Sequence, residues 1–165
     1  MPEAAGRVAL GAIPMTTDPT VRQPLPRGTV LAFDYGERYL GVAVGDTALG
    51  IAHPLDTIDA AAAPARFAAI AKLVDEWRPA LLVVGLPLLL AGEEHELTAR
   101  ARRFARRLEG RFGLPVALAD ERLSSADAAA RLREAGRGGR RDKDLVHPVA
   151  AQVILQAFFD ERRAA

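Results

Sequence analysis

The stretch TVLAFDYGERYLGVAVGD, residues 29–46, decides the fold of this chain. Its two apolar runs, residues 29–33 and 40–44, are bounded by turn residues, which predicts two adjacent strands joined by a tight turn. Alternation along the first strand places Ala32 and Asp34 on one face, in line with residues that should be buried. Two interpretations of Asp34 stay open at this point: a buried carboxylate that is paired or binds a cation, or a turn cap that accepts a backbone N–H.

The segments that follow predict an α/β domain with a mixed sheet. Apolar runs and helical spacing predict, in chain order, a strand at residues 51–58, a helix at 62–77, a strand at 81–86, a helix at 93–112, a strand at 114–119, a helix at 124–134, a basic loop at 137–144 and a last helix at about 148–162. Pro54 favours an edge or bulged position for the third strand. The later alternation of strands and helices indicates parallel crossovers, so only the first three strands are expected to be antiparallel.

Composition is that of one globular domain, predicted at residues 29–163. Half of the 165 residues are hydrophobic and only 5% are aromatic, which suits a core of Ala, Leu and Val. The absence of cysteine excludes disulfides and thiolate metal sites and favours a reducing compartment. No apolar run reaches membrane-spanning length, so we expect a cytoplasmic protein with no membrane partner. Residues 1–28 contain several Pro and Gly with little periodicity and are expected to form a disordered extension.

Basic residues are concentrated in two clusters although the net charge is only +1. Residues 100–111 contain six arginines and one glutamate, and a second cluster spans residues 131–143. Such clusters are typical of nucleic-acid sites, but they are also typical of a solvated helix face and a basic loop. Charge alone leaves both interpretations open.

Acidic residues come at the ends of two predicted strands. Asp34 ends the first strand, and Asp120 and Glu121 follow the fifth. Because α/β proteins usually place their chemistry at strand ends, these acids are candidate site residues. Asp46 is better explained as a cap of the turn after the second strand.

Five sequence blocks in this order resemble the YqgF/RuvX family of RNase H-like nucleases. They are FDYGERYLGVAVGD at 33–46, VVGLPL at 83–88, LTARARRFARRL at 97–108, DERLSS at 120–125 and AAQVILQAFFD at 150–160. The resemblance implies an RNase H-like fold, with a mixed five-stranded sheet flanked by helices. It also implies an endonuclease that acts on nucleic acid, described for the family as processing the 5′ end of pre-16S ribosomal RNA. Some members are discussed as Holliday-junction resolvases because of their likeness to RuvC.

The resemblance places the acidic site at Asp34 and Glu121, with a third member at the start of the last helix. The family usually has Asp there, whereas this chain has His147, followed by Pro148. Asp144, three residues before His147, is an alternative replacement for the missing acid. The loop at residues 87–92, PLLLAG, also departs from the family's pattern of PLN followed by Asp-Gly, and so lacks polar groups that usually occur there.

Hydrolysis of a phosphodiester at such a site requires divalent cations, for which we expect Mg²⁺ or Mn²⁺. Asp34 and Glu121 are predicted to hold the metal, since carboxylates, substrate phosphate and water suffice for Mg²⁺. His147 is predicted to ligate a softer ion or to orient the attacking water as a base. The residues predicted to contact the nucleic-acid backbone are Arg38, Arg122, Arg140, Arg141 and Lys143. Contact with solvent alone is the alternative for Arg38.

Three functions remain in competition. The first is a metal-dependent nuclease of ribosomal RNA maturation that binds structured RNA, with branched DNA as the alternative substrate. The second is a nucleic-acid-binding module of the same fold, in which the histidine has weakened catalysis. The third is a sugar kinase or ATPase of the actin-like class, which ranks below the others because that class needs two such domains around a nucleotide. The sequence leaves the oligomeric state open.

Overall fold

The computed structural model describes residues 24–89, 91–121 and 146–163, which form five strands and three helices. The elements are, in chain order, β1 (Thr29–Asp34), β2 (Tyr39–Asp46), β3 (Ile51–Asp59), α1 (Ala63–Trp77), β4 (Leu81–Leu86), α2 (Glu96–Phe112), β5 (Val116–Asp120) and α3 (Val146–Arg163). This order agrees with the predicted succession over the described residues. None of these helices has the length and apolarity to span a membrane.

The five strands form one mixed sheet in the order β3-β2-β1-β4-β5. β1 pairs antiparallel with β2, which pairs antiparallel with β3, while β1, β4 and β5 run parallel. The two parallel connections are made through α1 and α2. The predicted fold class is therefore confirmed, and β1 lies at the centre of the sheet, where it adjoins both the antiparallel and the parallel half.

Each face of the sheet carries its own core. Leu31 and Phe33 point from β1 toward α1 and α2 and pack with Phe67 and Phe104. The alternate residues Val30 and Ala32 point to the other face, where α3 covers them with residues that include Ala151, Ile154 and Leu155. Because Asp34 continues the second series, it lies on the face covered by α3.

β3 is an edge strand whose outer backbone is partly covered by α3. The amide oxygen of Gln156 accepts a hydrogen bond from Ala52 N at 3.0 Å, and Gln152 Nε2 donates to Ala52 O at 3.0 Å. The register of β3 against β2 shifts between Asp56 and Pro54, which leaves Leu55 without a partner residue and marks a bulge in β3. The predicted edge or bulge at Pro54 is thus confirmed, and these contacts protect part of the sheet's open edge.

Two element boundaries differ from their predicted positions. α2 begins at Glu96 and not at 93, because His95 is its N-cap and donates its backbone N–H to Thr98 Oγ1 at 3.1 Å. β5 begins at Val116, because Pro115 has no N–H to donate to a ladder, although its carbonyl accepts from Leu82 N at 3.0 Å.

Several predictions fall on residues outside the described ranges. They concern most of the extension at 1–28, the helix at 124–134, the basic loop at 137–144 and Asp144. The predicted domain boundary at residue 29 stays a prediction. Within the described part of the extension, Leu25 packs against the core under α3, and Gly28 N donates to Thr47 Oγ1 at 3.0 Å.

Candidate active site

Asp34 and Glu121 meet at one end of the sheet. Asp34 is the last residue of β1, and Glu121 directly follows β5, so both stand at the carboxyl ends of parallel strands. β4 separates these two strands in the sheet. The two side chains nevertheless share a hydrogen bond, which means that the Glu121 side chain reaches across β4 to Asp34.

Two glycines allow other groups to come close to Asp34, one on each side of β1. Gly41 of β2 pairs with Asp34, and the register of β1 with β4 brings Gly85 beside Asp34 on the other side. A Cβ on Gly85 would lie only 2.7 Å from Glu121 Oε1, and a Cβ on Gly41 would lie 2.1 Å from the carbonyl oxygen of His147. The recess around Asp34 is therefore closely filled, because the backbone of His147 lies against Gly41 and the side chain of Glu121 lies against Gly85.

Burial raises the pKa values of both acids of the pair, and repulsion from Asp34 adds to the shift of Glu121. Burial raises the pKa of Asp34, although the hydrogen bond from Glu121 and the charge of His147 act in the opposite direction. Burial, followed by repulsion from Asp34 and the hydrogen bond to it, raises the pKa of Glu121 to about 8. At neutral pH the pair therefore holds a proton, which the carboxyl group of Glu121 donates to the carboxylate of Asp34.

His147 brings the start of α3 to this recess. It is the second residue of that helix, and its backbone lies against Gly41, beside the position of Asp34. Its imidazole stacks on the ring of Tyr39, with the ring centroids 4.8 Å apart and the planes 20° from parallel. The guanidinium of Arg38 lies 5.1 Å from the same Tyr39 ring. The helix start therefore converges on the acid pair, with its histidine ring held against β2.

The acid pair suits a divalent cation, although the described residues bring two carboxylates, and no third, into contact here. Among the described residues, no group of three His, Asp or Glu side chains is placed to hold a metal ion. Glu121 Oε1 is shielded from solvent, and burial together with repulsion from Asp34 raises the pKa of Glu121, so a second negative charge is unfavourable here. Because a cation would relieve that repulsion, and because Mg²⁺ commonly takes one or two carboxylates plus water and phosphate, the donor set fits such an ion.

The other predicted site residues are placed differently. Arg38 is largely exposed, and its Nε donates to Asp59 Oδ1 at 3.2 Å, so its partner in this structure is a carboxylate. Asp46 accepts the backbone N–H of Ala48 at 2.8 Å, which confirms its predicted role as a turn cap. The remaining predicted backbone contacts lie outside the described residues: Arg122, Arg140, Arg141 and Lys143.

Sequence reasoning missed the residues that shape the recess. Gly41, Gly85 and Tyr39 belong to blocks that were recognised, but no role was predicted for them. A glycine inside an apolar strand is a known signal of close approach by another backbone or group. That signal was present at Gly41 and Gly85, but it does not say which distant segment comes close.

The fold is shared with two solved resolvase structures. A Thermus thermophilus RuvC bound to a Holliday junction aligns over 82% of this chain and 96% of its own, with a TM-score of 0.53 and 17% identity. The yeast mitochondrial Holliday junction resolvase Ydc2 aligns over 98% of this chain and 88% of its own, with a TM-score of 0.51 and 10% identity. At these identities the likeness establishes the RuvC-like RNase H fold alone.

Sequence comparison then gives the family. The model of the family described as "RuvX: Holliday junction resolvase" matches residues 28–161, and this chain belongs to that family. A protein of Methylobacillus flagellatus is 61% identical over 81% of this chain and 92% of its own length, and one of Chromobacterium violaceum is 60% identical over 79% and 96%. Both relatives carry the name "Putative pre-16S rRNA nuclease".

Proposed function

We propose that this chain is a metal-dependent endonuclease that processes the 5′ end of pre-16S ribosomal RNA. The observation that carries the proposal is the proton-sharing pair of Asp34 and Glu121, whose close approach Gly85 allows. The names of relatives that are about 60% identical over most of their length supply the substrate. A paired, poorly solvated set of acids at strand ends is an arrangement suited to phosphodiester chemistry and not only to stability.

Asp34 and Glu121 are the residues that hold the cation, which we expect to be Mg²⁺ or Mn²⁺. Such an ion supplies positive charge for the scissile phosphate and makes a bound water more acidic. Glu121 has to release its proton before both carboxylates can act as ligands, because its pKa of about 8 leaves it protonated at neutral pH. Gly41 and Gly85 contribute by letting the start of α3 and the Glu121 side chain come close to Asp34.

His147 is assigned to proton transfer with the attacking water. Stacking on Tyr39 covers one face of the imidazole, but the ring nitrogens lie on its edge. Within the described part of the chain, no side chain or backbone group hydrogen-bonds to these nitrogens, so they are available to a water molecule at the recess. Imidazole suits this role because its ordinary titration range is near neutral pH.

Resolution of Holliday junctions is the second candidate function. It is favoured by the description of the family and by the fold shared with the junction-bound RuvC. The same acid pair would serve both reactions, since each hydrolyses a phosphodiester. The two candidates therefore differ in the shape of the nucleic acid bound and not in the chemistry of the pair.

A panel of substrates separates the candidates. The purified protein is incubated with Mg²⁺ or Mn²⁺ and a transcript that carries the 5′ end of 16S ribosomal RNA and its leader, a four-way DNA junction, or a linear DNA duplex. We expect cleavage of the transcript, and loss of that cleavage in Asp34→Asn. Cleavage of the junction alone would replace the proposal with the resolvase function, and cleavage of none of the substrates with either ion would refute both.

A further inference from the structure

An arginine-lined cleft opens on the face of the sheet opposite to the acid pair. It lies between α1 and α2, beside the turn that follows β1, and encloses about 450 Å³. Its walls carry four arginines, one glutamate and three aromatic rings: Arg66, Arg100, Arg103, Arg107, Glu37, Tyr35, Phe67 and Phe104. The cleft is therefore rich in positive charge, and none of these residues belongs to the candidate active site.

Arg66 is the buried cation of this cleft, with a relative exposure of 4%. Its Nε donates to the carbonyl of Ala60 at 2.8 Å and its Nη2 to the carbonyl of Glu37 at 3.1 Å. No carboxylate of the described residues pairs with it. A guanidinium has five N–H groups, so these two carbonyls leave part of its donor capacity unused. Its charge faces only the ring of Tyr35, 5.5 Å away, and no carboxylate of the described residues. An unmatched buried charge is costly, and an anion in the cleft would lower that cost.

Of the other three arginines, one is paired with carboxylates and two add positive charge that no carboxylate of the described residues neutralises. Arg100 is paired with Glu37 and Glu96. Arg103 and Arg107 are exposed, and the described portion of the chain offers neither of them a carboxylate partner. The Arg107 guanidinium lies 5.1 Å from the Phe67 ring, which holds it at the cleft wall by a cation–π contact. Three guanidinium groups therefore act together on whatever enters the cleft.

We infer that this cleft binds the phosphate backbone of a single-stranded segment of the nucleic-acid substrate, with Arg103 and Arg107 on the phosphates. The inference rests on the proposed nuclease function for the identity of the anion. A strand is favoured over a small free anion because Tyr35, in the cleft wall, directly follows Asp34 in the chain. The cleft and the acid pair thus lie on the two sides of one turn, and a strand that crosses this turn contacts both.

Binding of RNA without divalent ions tests the cleft separately from catalysis. A labelled single-stranded RNA of about 12 nucleotides, within the usual site size of single-strand binders, is titrated in EDTA with Asp34→Asn protein. The same background then carries Arg103→Ala with Arg107→Ala, or Arg102→Ala with Arg106→Ala as the matched control. Both pairs remove two charges one turn apart on α2, but Arg102 and Arg106 do not line the cleft.

We expect the cleft pair to weaken RNA binding about tenfold, since charge-assisted contacts to phosphate are lost. The salt dependence should also flatten, by about 0.7 in the log–log slope for each lost contact on a single strand. The control pair should change affinity less than twofold, and Arg103→Lys with Arg107→Lys should restore most of the binding. Thermal denaturation of each variant checks that it is folded.

Three results would overturn the inference. Equal losses in both alanine pairs would indicate only the general charge of α2, and no loss in the cleft pair would mean that RNA does not enter it. Loss of inorganic-phosphate binding in the cleft pair, with RNA affinity unchanged, would indicate a site for small anions. Because the binding measurement uses no metal and no cleavage, its result does not depend on whether the protein cleaves any substrate of the panel.

Discussion

The proton held between Asp34 and Glu121 makes the stability of the protein depend on pH. Burial raises the pKa of Glu121 from its ordinary value to about 8, so the folded state keeps a proton that the unfolded chain loses near pH 4.5. The contribution of this group to the free energy of unfolding is fully present below about pH 4.5 and is lost as the pH rises toward 8. In that range the unfolded state binds fewer protons than the folded state.

Glu121→Gln should remove this dependence. The amide keeps a donor for Asp34 but cannot ionise. The free energy of unfolding of the variant, relative to that of the wild type, should therefore increase by on the order of 2–4 kcal/mol as the pH rises from about 5 to about 8. Urea unfolding at several pH values in EDTA measures the difference. Parallel profiles for the two proteins would show that Glu121 is not the group that titrates.

Variants of His147 test how the site is affected by a histidine at the position where the family usually has Asp. His147→Asp places a third carboxylate beside the pair, so the concentration of Mg²⁺ needed for half-maximal cleavage should fall, by roughly tenfold for one added charged ligand. His147→Asn is the matched control, since it removes the imidazole without adding charge, and it should lower the rate at saturating Mg²⁺. Equal Mg²⁺ requirements in the two variants would contradict a position for His147 beside the metal-holding acids.

At the scale of elements, the approach of α3 to β2 depends on a glycine. A Cβ on Gly41 would lie 2.1 Å from the carbonyl oxygen of His147, and that oxygen cannot move unless the start of α3 moves with it. Gly110 in α2 has nothing within 4 Å of its Cβ position. The two positions therefore give a matched pair of substitutions by alanine.

Gly41→Ala should destabilise the protein by about 1–3 kcal/mol through overpacking and should reduce cleavage, because α3 is displaced from the acid pair. Gly110→Ala should instead stabilise it by roughly 0.5–1 kcal/mol, as alanine favours a helix interior, and should leave cleavage unchanged. Denaturant unfolding and a cleavage assay report both effects. If Gly41→Ala behaved like Gly110→Ala, the close contact between β2 and α3 would not matter for the site.

Across the whole molecule, local sequence patterns were sufficient to predict the strands of the sheet but not the residues that surround Asp34. The apolar runs of β1, β2 and β4 and the helical spacing of α1 identified these elements, because burial on one or both faces imposes those patterns. Asp34 and Glu121 became candidates through their positions at strand ends, and the resemblance to the family selected them. Their contact requires the absence of a side chain at Gly85, which lies far from both residues in sequence.

The burial and contacts of individual polar residues could likewise not be predicted from the local sequence pattern. Arg66 stands near the start of α1, where a solvated position is the ordinary expectation, yet carbonyls of Ala60 and Glu37 draw it inward. The stacking of His147 on Tyr39 requires α3 to return over β2, which the sequence spacing of the two residues does not reveal. Such contacts follow from tertiary packing, and sequence reasoning reached only the residues that local rules mark.

The central claim is that Asp34 and Glu121 form the metal-holding centre of a nuclease, and the most direct measurement is Mg²⁺-dependent cleavage of the 16S leader transcript by Asp34→Asn and Glu121→Gln. Asp46→Asn is the control, because Asp46 caps a turn outside the recess. We expect each variant of the pair to lose cleavage by a factor of at least about 100 while remaining folded, and the control to retain it. Cleavage at the wild-type rate by either variant of the pair would contradict the claim.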